Sequence, residues 1–482
     1  MELGLGLTKI IPMVLYLTGC LVIVLIFLRI EIGIYFIIPC LALQNILDSM
    51  VRYPLGKDFI DILFLALIIK WLSRKGKLEE NPRWRKPFYG IVAAIMVWTY
   101  ICLWIGSMNL GTGAPTFGDT RFVMWKNFVM LPLLYLIVVH NIKDTKQLKI
   151  ILVLMTLTML FMDRNFYHNF SGKDTSSYSD DIRVGSTFSY LGPNETAVFY
   201  AQNTIIILCL FLGDPNVRHK VFFGITTAFN YYCLIFLFSR GGYLASLVSW
   251  MFLGFMKDRR VLVVLVLFLV FWRSLVPTVV QQRIDMSSGD EDPLGYTEET
   301  VITDHSLTSR FEMWEQAVDL IGQHPIQGYG YGTTRFVNIT TDNTRQRDSL
   351  HNGYLELLLE LGGIGMIIFL ALYTMGIRYG WLLYRNAKDP FLKAFGLGFV
   401  GCVLAILSGN IAGSYLFYFN VSGFFWVNLA LVVRGLELAN QTKETESESQ
   451  DEKKFSARSR KKQLKPKRTL KPRMPAVRVP SH

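Results

Sequence analysis

Apolar blocks of about 20 residues recur along this chain, the length a helix needs to cross a hydrocarbon layer about 30 Å thick. Lipid offers the backbone no hydrogen-bond partners, so such blocks can only be helices. Of the 482 residues, 51% are hydrophobic and 18% charged, whereas soluble domains carry about a quarter charged. The fold class read from this pattern is an all-α polytopic membrane protein with about 12–13 transmembrane helices. Expected spans lie at 10–28, 32–50, 57–72, 88–106, 122–140, 147–163, 194–213, 221–238, 241–257, 260–276, 354–378, 391–411 and 414–434. The first is read as a span and not as a cleavable signal, since it is long and has no small-residue cleavage site.

Lysine and arginine bias in short loops sets orientation. Basic residues crowd the loop from Arg74 to Lys86 and mark Lys143–Lys149, Arg218–Lys220, Lys257–Arg260 and Arg378–Lys393, as well as the C-terminal tail. These positions alternate with acidic or bare loops, so all of them are expected to be cytoplasmic. The opposite face then carries a loop at 164–193 and a large one at 277–353, in which Phe311, Trp314, Val318 and Ile321 recur at helical spacing. Loops of this length in a compact protein usually serve function. The expected organisation is a membrane domain over 1–440 and a disordered cytoplasmic tail over 441–482, acidic and then basic.

The net charge of +12 is local. Residues 453–482 hold twelve Lys or Arg and no Asp or Glu, so the remainder is close to neutral. This gives no support to nucleic-acid binding by the body of the protein, while the tail itself could touch RNA or anionic lipid, its plainer reading being a solvated, positively charged anchor. The six cysteines all fall in apolar blocks without C-x-x-C pairing, and read as small buried side chains. Asp290-Glu291-Asp292 has no ligand cluster around it and reads as a solvated loop, and Asn338-Ile-Thr340 is too common a pattern to carry weight. No metal and no cofactor are expected.

Four segments on the non-cytoplasmic side carry candidate chemistry. The first is Arg183-Val-Gly-Ser-Thr-Phe with Gly192-Pro-Asn194-Glu195, and the second is Ser239-Arg240-Gly-Gly. The third is Ser309-Arg310-Phe-Glu-Met-Trp314 with His324-Pro-Ile-Gln-Gly-Tyr-Gly-Tyr-Gly332. The fourth is His351-Asn352-Gly-Tyr-Leu-Glu356 with Glu360-Leu-Gly-Gly-Ile-Gly365. An arginine at a membrane-embedded turn is costly unless it meets a partner or a polar cavity. Arg240 is such a residue, and it lies on the wrong side to act as a topology signal. Its two readings are an anion clamp, since guanidinium binds phosphate oxygens in pairs, and an interfacial snorkelling side chain. Arg183 and Arg310 share its face, and a pyrophosphate needs several cations. A neutral imidazole can take a proton from a hydroxyl, so His351 is either a base or an interfacial residue. Asn352 could orient it or hold a sugar hydroxyl. Asn194 and Glu195 either cap a helix or join the site in binding substrate, with a second base as the alternative for Glu195.

Taken in order, these four motifs resemble the bacterial O-antigen ligase and O-antigen polymerase family over residues 180–375. The resemblance implies a GT-C type glycosyltransferase of the bacterial inner membrane with its active site facing the periplasm. The implied donor is a glycan on undecaprenyl pyrophosphate, and the acceptor is a glycolipid or another lipid-linked glycan. It implies that Arg183 and Arg240 bind the pyrophosphate, that Arg310 assists, and that His351 activates the acceptor hydroxyl without a metal. A transporter or flippase for an anionic lipid would use the same arginines and is the competing reading.

Overall fold

The computed structural model describes residues 7–73, 86–188, 191–285, 305–337 and 349–463, and every regular element among them is a helix. The first half comprises α1 (Leu7–Leu28), α2 (Ile30–Cys40), α3 (Gln44–Ser49), α4 (Phe59–Ser73), α5 (Lys86–Asn109), α6 (Thr120–Asn141) and α7 (Thr145–Phe170). The second comprises α8 (Pro193–Gly213), α9 (Val217–Phe236), α10 (Arg240–Met256), α11 (Arg259–Leu275), α12 (Thr278–Asp285), α13 (His305–Gln323), α14 (Gly353–Asn386), α15 (Pro390–Gly409) and α16 (Phe419–Gln463).

Among the described residues, eight helices are long and apolar enough to cross a membrane: α1, α5, α6, α7, α8, α14, α15 and α16. Two sharply bent pairs, Ile30–Cys40 with Gln44–Arg52 at 98° and α11 with α12 at 105°, raise the count to ten if each is one span. The sequence-based count of 12 or 13 is higher because it gives α4, α9 and α10 a span each. Helices α4 and α10 have 15 and 17 residues, and at about 1.5 Å per residue they fall short of the hydrocarbon thickness. Helix α9 spends its first turn on Arg218, His219 and Lys220.

Two further boundaries differ from expectation. Helix α7 runs on to Phe170 and shortens the loop expected at 164–193, because Asp163, Asn165, Phe166 and Phe170 are all buried against neighbouring helices. Helix α16 stays helical to Gln463, into the stretch read as a disordered tail, where the sequence is rich in the helix formers Glu, Lys and Gln. Five of the cysteines are buried as expected, while Cys20 is exposed. Asp290–Asp292, Asn338–Thr340, most of the first basic loop and the end of the basic tail lie outside the described residues.

The core is built on α8, α15 and α16, whose apolar stretches are 83%, 83% and 89% buried. Helix α8 packs on α15, α9 and α10, while α14 packs on α15 and α5. Close approach of α8 and α15 is allowed by Gly398, where a β-carbon would lie 2.8 Å from Ile206 Cα.

The two ends of the bundle differ in chemistry. At one end α7, α9, α11 and α15 begin at Asp144, Asn216, Asp258 and Asp389, whose side chains accept backbone N–H groups of the first turn. Lys149 pairs there with Asp389 at 2.8 Å, Lys143 with Glu31 at 3.1 Å, and Arg434 Nε donates to the Ile142 carbonyl at 2.6 Å. At the other end α8, α10 and α14 begin and α9 and α15 finish. The four candidate segments all sit at that second end.

Candidate active site

Three helix starts frame the site. Helix α8 opens on Gly192-Pro193, and proline suits the first helical position because its missing N–H would have no partner there. Helix α10 opens at Ser239, whose hydroxyl accepts the Gly242 N–H at 3.4 Å. Helix α14 opens at Asn352, whose Oδ1 accepts the N–H groups of Tyr354 at 3.0 Å and Leu355 at 3.2 Å. The amide oxygen of Asn352 is thus engaged in capping.

The turn between α15 and α16 ties these starts together. The Gly353 N–H donates to the carbonyls of Asn410 and Gly413, both at 2.8 Å. Arg310, on α13, donates from Nη1 to the Ala412 carbonyl at 3.3 Å. Gly241, beside Arg240, faces the same residue, since a β-carbon there would lie 2.9 Å from Ala412 Cβ. Tyr415 lies within electrostatic reach of Glu195, Arg310 and Arg183. Burial first, and then the Glu195 carboxylate, hold its phenol well above the ordinary value, with the arginines opposing. Arg183, Glu195, Arg310, the start of α10 at Arg240 and the His351-Asn352 turn therefore converge on Asn410–Tyr415.

Arg183 donates from Nη2 to Asn194 Oδ1 at 2.8 Å, so Asn194 holds the arginine and does not cap α8. Its Nη1 lies 3.8 Å from Asp180, which is 82% exposed, and its Nε is buried with no hydrogen-bond partner. Tyr178 organises this side. Its hydroxyl donates to Asp180 Oδ1 at 2.8 Å, and its ring packs edge-on against Phe238 at 5.7 Å, just ahead of Ser239-Arg240. Burial first, and then the bond to Asp180, push the Tyr178 phenol up to about 12, so it remains a neutral donor through the physiological range.

His351 has a φ of 50°, in the left-handed region that residues with a β-carbon rarely adopt. Its N–H donates to Ser349 Oγ at 3.2 Å, which in turn donates to Glu356 Oε2 at 3.3 Å. The Leu350 N–H reaches the same carboxylate oxygen at 3.2 Å, and Trp314 Nε1 donates to the Leu350 carbonyl at 2.8 Å. A strained backbone persists only where its surroundings over-determine it, and Glu356 with Trp314 does that here.

The glycine-rich loop after α13 docks into a break in α14. Gly362 has non-helical angles (φ 64°, ψ −168°), and the backbone bonds freed there are taken by the loop. Tyr329 N–H donates to the Leu359 carbonyl at 2.6 Å, and Gly363 and Ile364 donate to the carbonyls of Pro325 and Ile326 at 2.9 and 3.2 Å. Glu360, buried, accepts from the Gly332 N–H at 2.9 Å and from Thr334 Oγ1 at 2.8 Å. This docking fixes α13 and Arg310 over the start of α14. A cavity of about 420 Å³ opens on a different face of α13, lined by Gln316, Asp319, Tyr329 and Phe336 among others, and none of the sequence-derived site residues lines it.

Residues 225–370 match the family model described as O-antigen ligase. This central segment is similar to the O-antigen ligase family. It contains Arg240, Arg310, His351 and Asn352, while Arg183, Asn194 and Glu195 lie ahead of it. Over 111 residues the chain is 29% identical to the O-antigen ligase of Pseudomonas aeruginosa, covering 23% of this chain and 26% of that one. Over 246 residues it is 28% identical to the ComP-specific O-oligosaccharyltransferase of Acinetobacter baylyi, covering 47% and 41%. The matched stretches span less than half the length of either relative.

Sequence reasoning did not reach Tyr178, Arg283 or the Asn410–Tyr415 turn. The expected spans 391–411 and 414–434 ran through that turn; its signal is the polar, small-residue run Asn-Ile-Ala-Gly-Ser-Tyr between two apolar blocks.

Proposed function

We propose that this protein transfers a glycan from a lipid pyrophosphate carrier, of the undecaprenyl type, to an acceptor hydroxyl at the periplasmic surface of the bacterial inner membrane. The observation that carries the reading is the convergence of Arg183, Arg310, the start of α10 at Arg240 and the His351 turn on Asn410–Tyr415, around a segment similar to the O-antigen ligase family. The lysine and arginine bias of the opposite end supports the periplasmic orientation.

In this mechanism Arg183 and Arg240 hold the pyrophosphate, and Arg310 binds the donor while its bond to Ala412 keeps α13 over the site. His351 takes the proton of the acceptor hydroxyl as that oxygen attacks the anomeric carbon. The bond from that carbon to the pyrophosphate oxygen breaks, inverting the configuration, and the lipid pyrophosphate leaves with the bonding pair. Fixed cations stabilise the charge growing on the leaving oxygen, which is commonly the largest electrostatic contribution to such catalysis. Asn194 keeps Arg183 placed, with the Glu195 carboxylate within electrostatic reach of the same arginine, and Asn352 caps the helix that follows the base.

Arg240→Ala and His351→Ala test the reading in proteoliposomes supplied with a lipid pyrophosphate-linked glycan and an acceptor. Each is expected to lower transfer by about 100-fold or more, with the amount of folded protein in the membrane unchanged. Transfer at the parent rate by either variant would sink the mechanism.

A further inference from the structure

We propose that Arg283, on the short helix α12, is a further guanidinium of the anion site and contacts the diphosphate alongside Arg183 and Arg240. The proposal rests on the lipid pyrophosphate reading above and extends it to a residue outside the four sequence motifs.

Arg283 lies within electrostatic reach of both Arg183 and Arg240. Its guanidinium carbon sits 5.0 Å from the centre of the Tyr178 ring, the ring that packs on Phe238 ahead of Arg240 and donates to the Asp180 that faces Arg183. One tyrosine therefore touches the surroundings of all three arginines. The Nε of Arg283 and the Nε of Arg183 are both buried without a hydrogen-bond partner. Buried donors are ordinarily satisfied, and an orphan calls for an explanation. Asp180, a carboxylate within reach of both residues, is largely exposed. Asp180 and the Glu195 carboxylate beside Arg183 offset part of the charge of these guanidiniums, and a polyvalent anion would meet several of them at once.

The placement of Arg283 is built, not incidental. Helix α12 turns 105° from α11 and buries Val279 and Val280 beneath it. Gln281 closes the end of α11 by donating to the carbonyls of Arg273 at 2.6 Å and Val276 at 2.7 Å. Gln282 accepts the Tyr178 N–H at 2.8 Å, which stitches α12 to the loop that carries Arg183. Arg273 pairs with Asp285, on the same helix as Arg283, at 3.0 Å. Guanidinium stacked on an aromatic ring keeps its edge donors available for phosphate oxygens.

Inorganic pyrophosphate is the probe, titrated against the full chain in lipid nanodiscs and read by its shift of the thermal unfolding midpoint at matched ionic strength. Arg283→Gln is expected to weaken pyrophosphate binding about 10-fold, and Arg283→Lys by an intermediate factor, since an ammonium cannot bind two oxygens in the plane of a fork. Arg240→Gln serves as the reference. Parent-like binding by both Arg283 variants, with Arg240→Gln weakened, overturns the assignment of Arg283 and leaves the anion site standing. Parent-like binding by all three overturns the anion-site reading itself. Should Arg283→Gln not fold, Arg283→Lys decides: weakened binding supports the proposal and parent-like binding overturns it.

Discussion

A single carboxylate does much to position the proposed base. Glu356 accepts from the Leu350 N–H and from Ser349 Oγ, and Ser349 in turn holds the His351 N–H, so the left-handed turn at His351 hangs from one side chain a helical turn and a half further on. A misplacement of about 1 Å in a reacting group can cost about 100-fold in rate. Glu356→Ala is therefore expected to lower kcat by about 100-fold while leaving the KM for donor and pyrophosphate binding near parent values. Glu356→Gln, which keeps an acceptor oxygen, should recover part of that loss. A fall in donor binding instead of kcat would show that Glu356 serves the fold and not the turn. At this scale the sequence was informative where a residue broke a rule: Arg240 stood out because a charge at a membrane turn is costly. Arg283 and Tyr415 broke no such rule in the linear pattern, and only their neighbours in space mark them.

The docking of the 324–334 loop into the broken α14 explains the spacing of its glycines. At Gly330 φ is 128°, and a β-carbon would lie 2.2 Å from the backbone N and Cα of Gly106; at Gly362 φ is 64° and a β-carbon would lie 2.2 Å from the Ile326 carbonyl oxygen. The left-handed conformation alone costs an L-residue about 1–2 kcal/mol, and here backbone atoms would also have to move. Gly330→Ala and Gly362→Ala are each expected to destabilise the protein by about 3 kcal/mol or more. Gly322→Ala is the contrast: this helical glycine has open space around its β position, and the substitution should be neutral or stabilising by up to about 1 kcal/mol. Thermal unfolding in detergent compares the three. The periodic pattern located α13 and α14, yet nothing in it signalled the break at Gly362 or the helix-to-loop bonds that fill it. Those bonds join residues whose partners lie thirty or so positions away, beyond the reach of any local pattern.

Across the whole molecule, the basic end and the site end are separated by a bundle whose central helices are almost wholly buried. The cavity described within it measures about 20 Å³, lined by Met155, Asn203, Phe424 and Asn428 among others, room for about one water. Charge bias in the loops and hydrophobic block lengths were enough to read this polarity from the sequence, because both are set by the bilayer and not by side-chain packing. The span count was less legible, since α4, α9 and α10 pass as apolar blocks but are short or charged at one end. The packed centre bears on the competing transporter reading, in which the arginines would carry an anion between the two sides. Moving a lipid pyrophosphate through α8, α15 and α16 would require these helices to part over their whole length, exposing the buried Asn203 and Asn428 on the way. Single cysteines replacing Arg310 and His351, in a chain whose six native cysteines are changed to serine or alanine, test this with a membrane-impermeant maleimide. The transferase reading expects labelling from the periplasmic side only, slowed where bound donor covers the site but never moved to the other side. Labelling that switches sides on addition of donor would favour a carrier, and would require the buried core to open in a way its packing opposes.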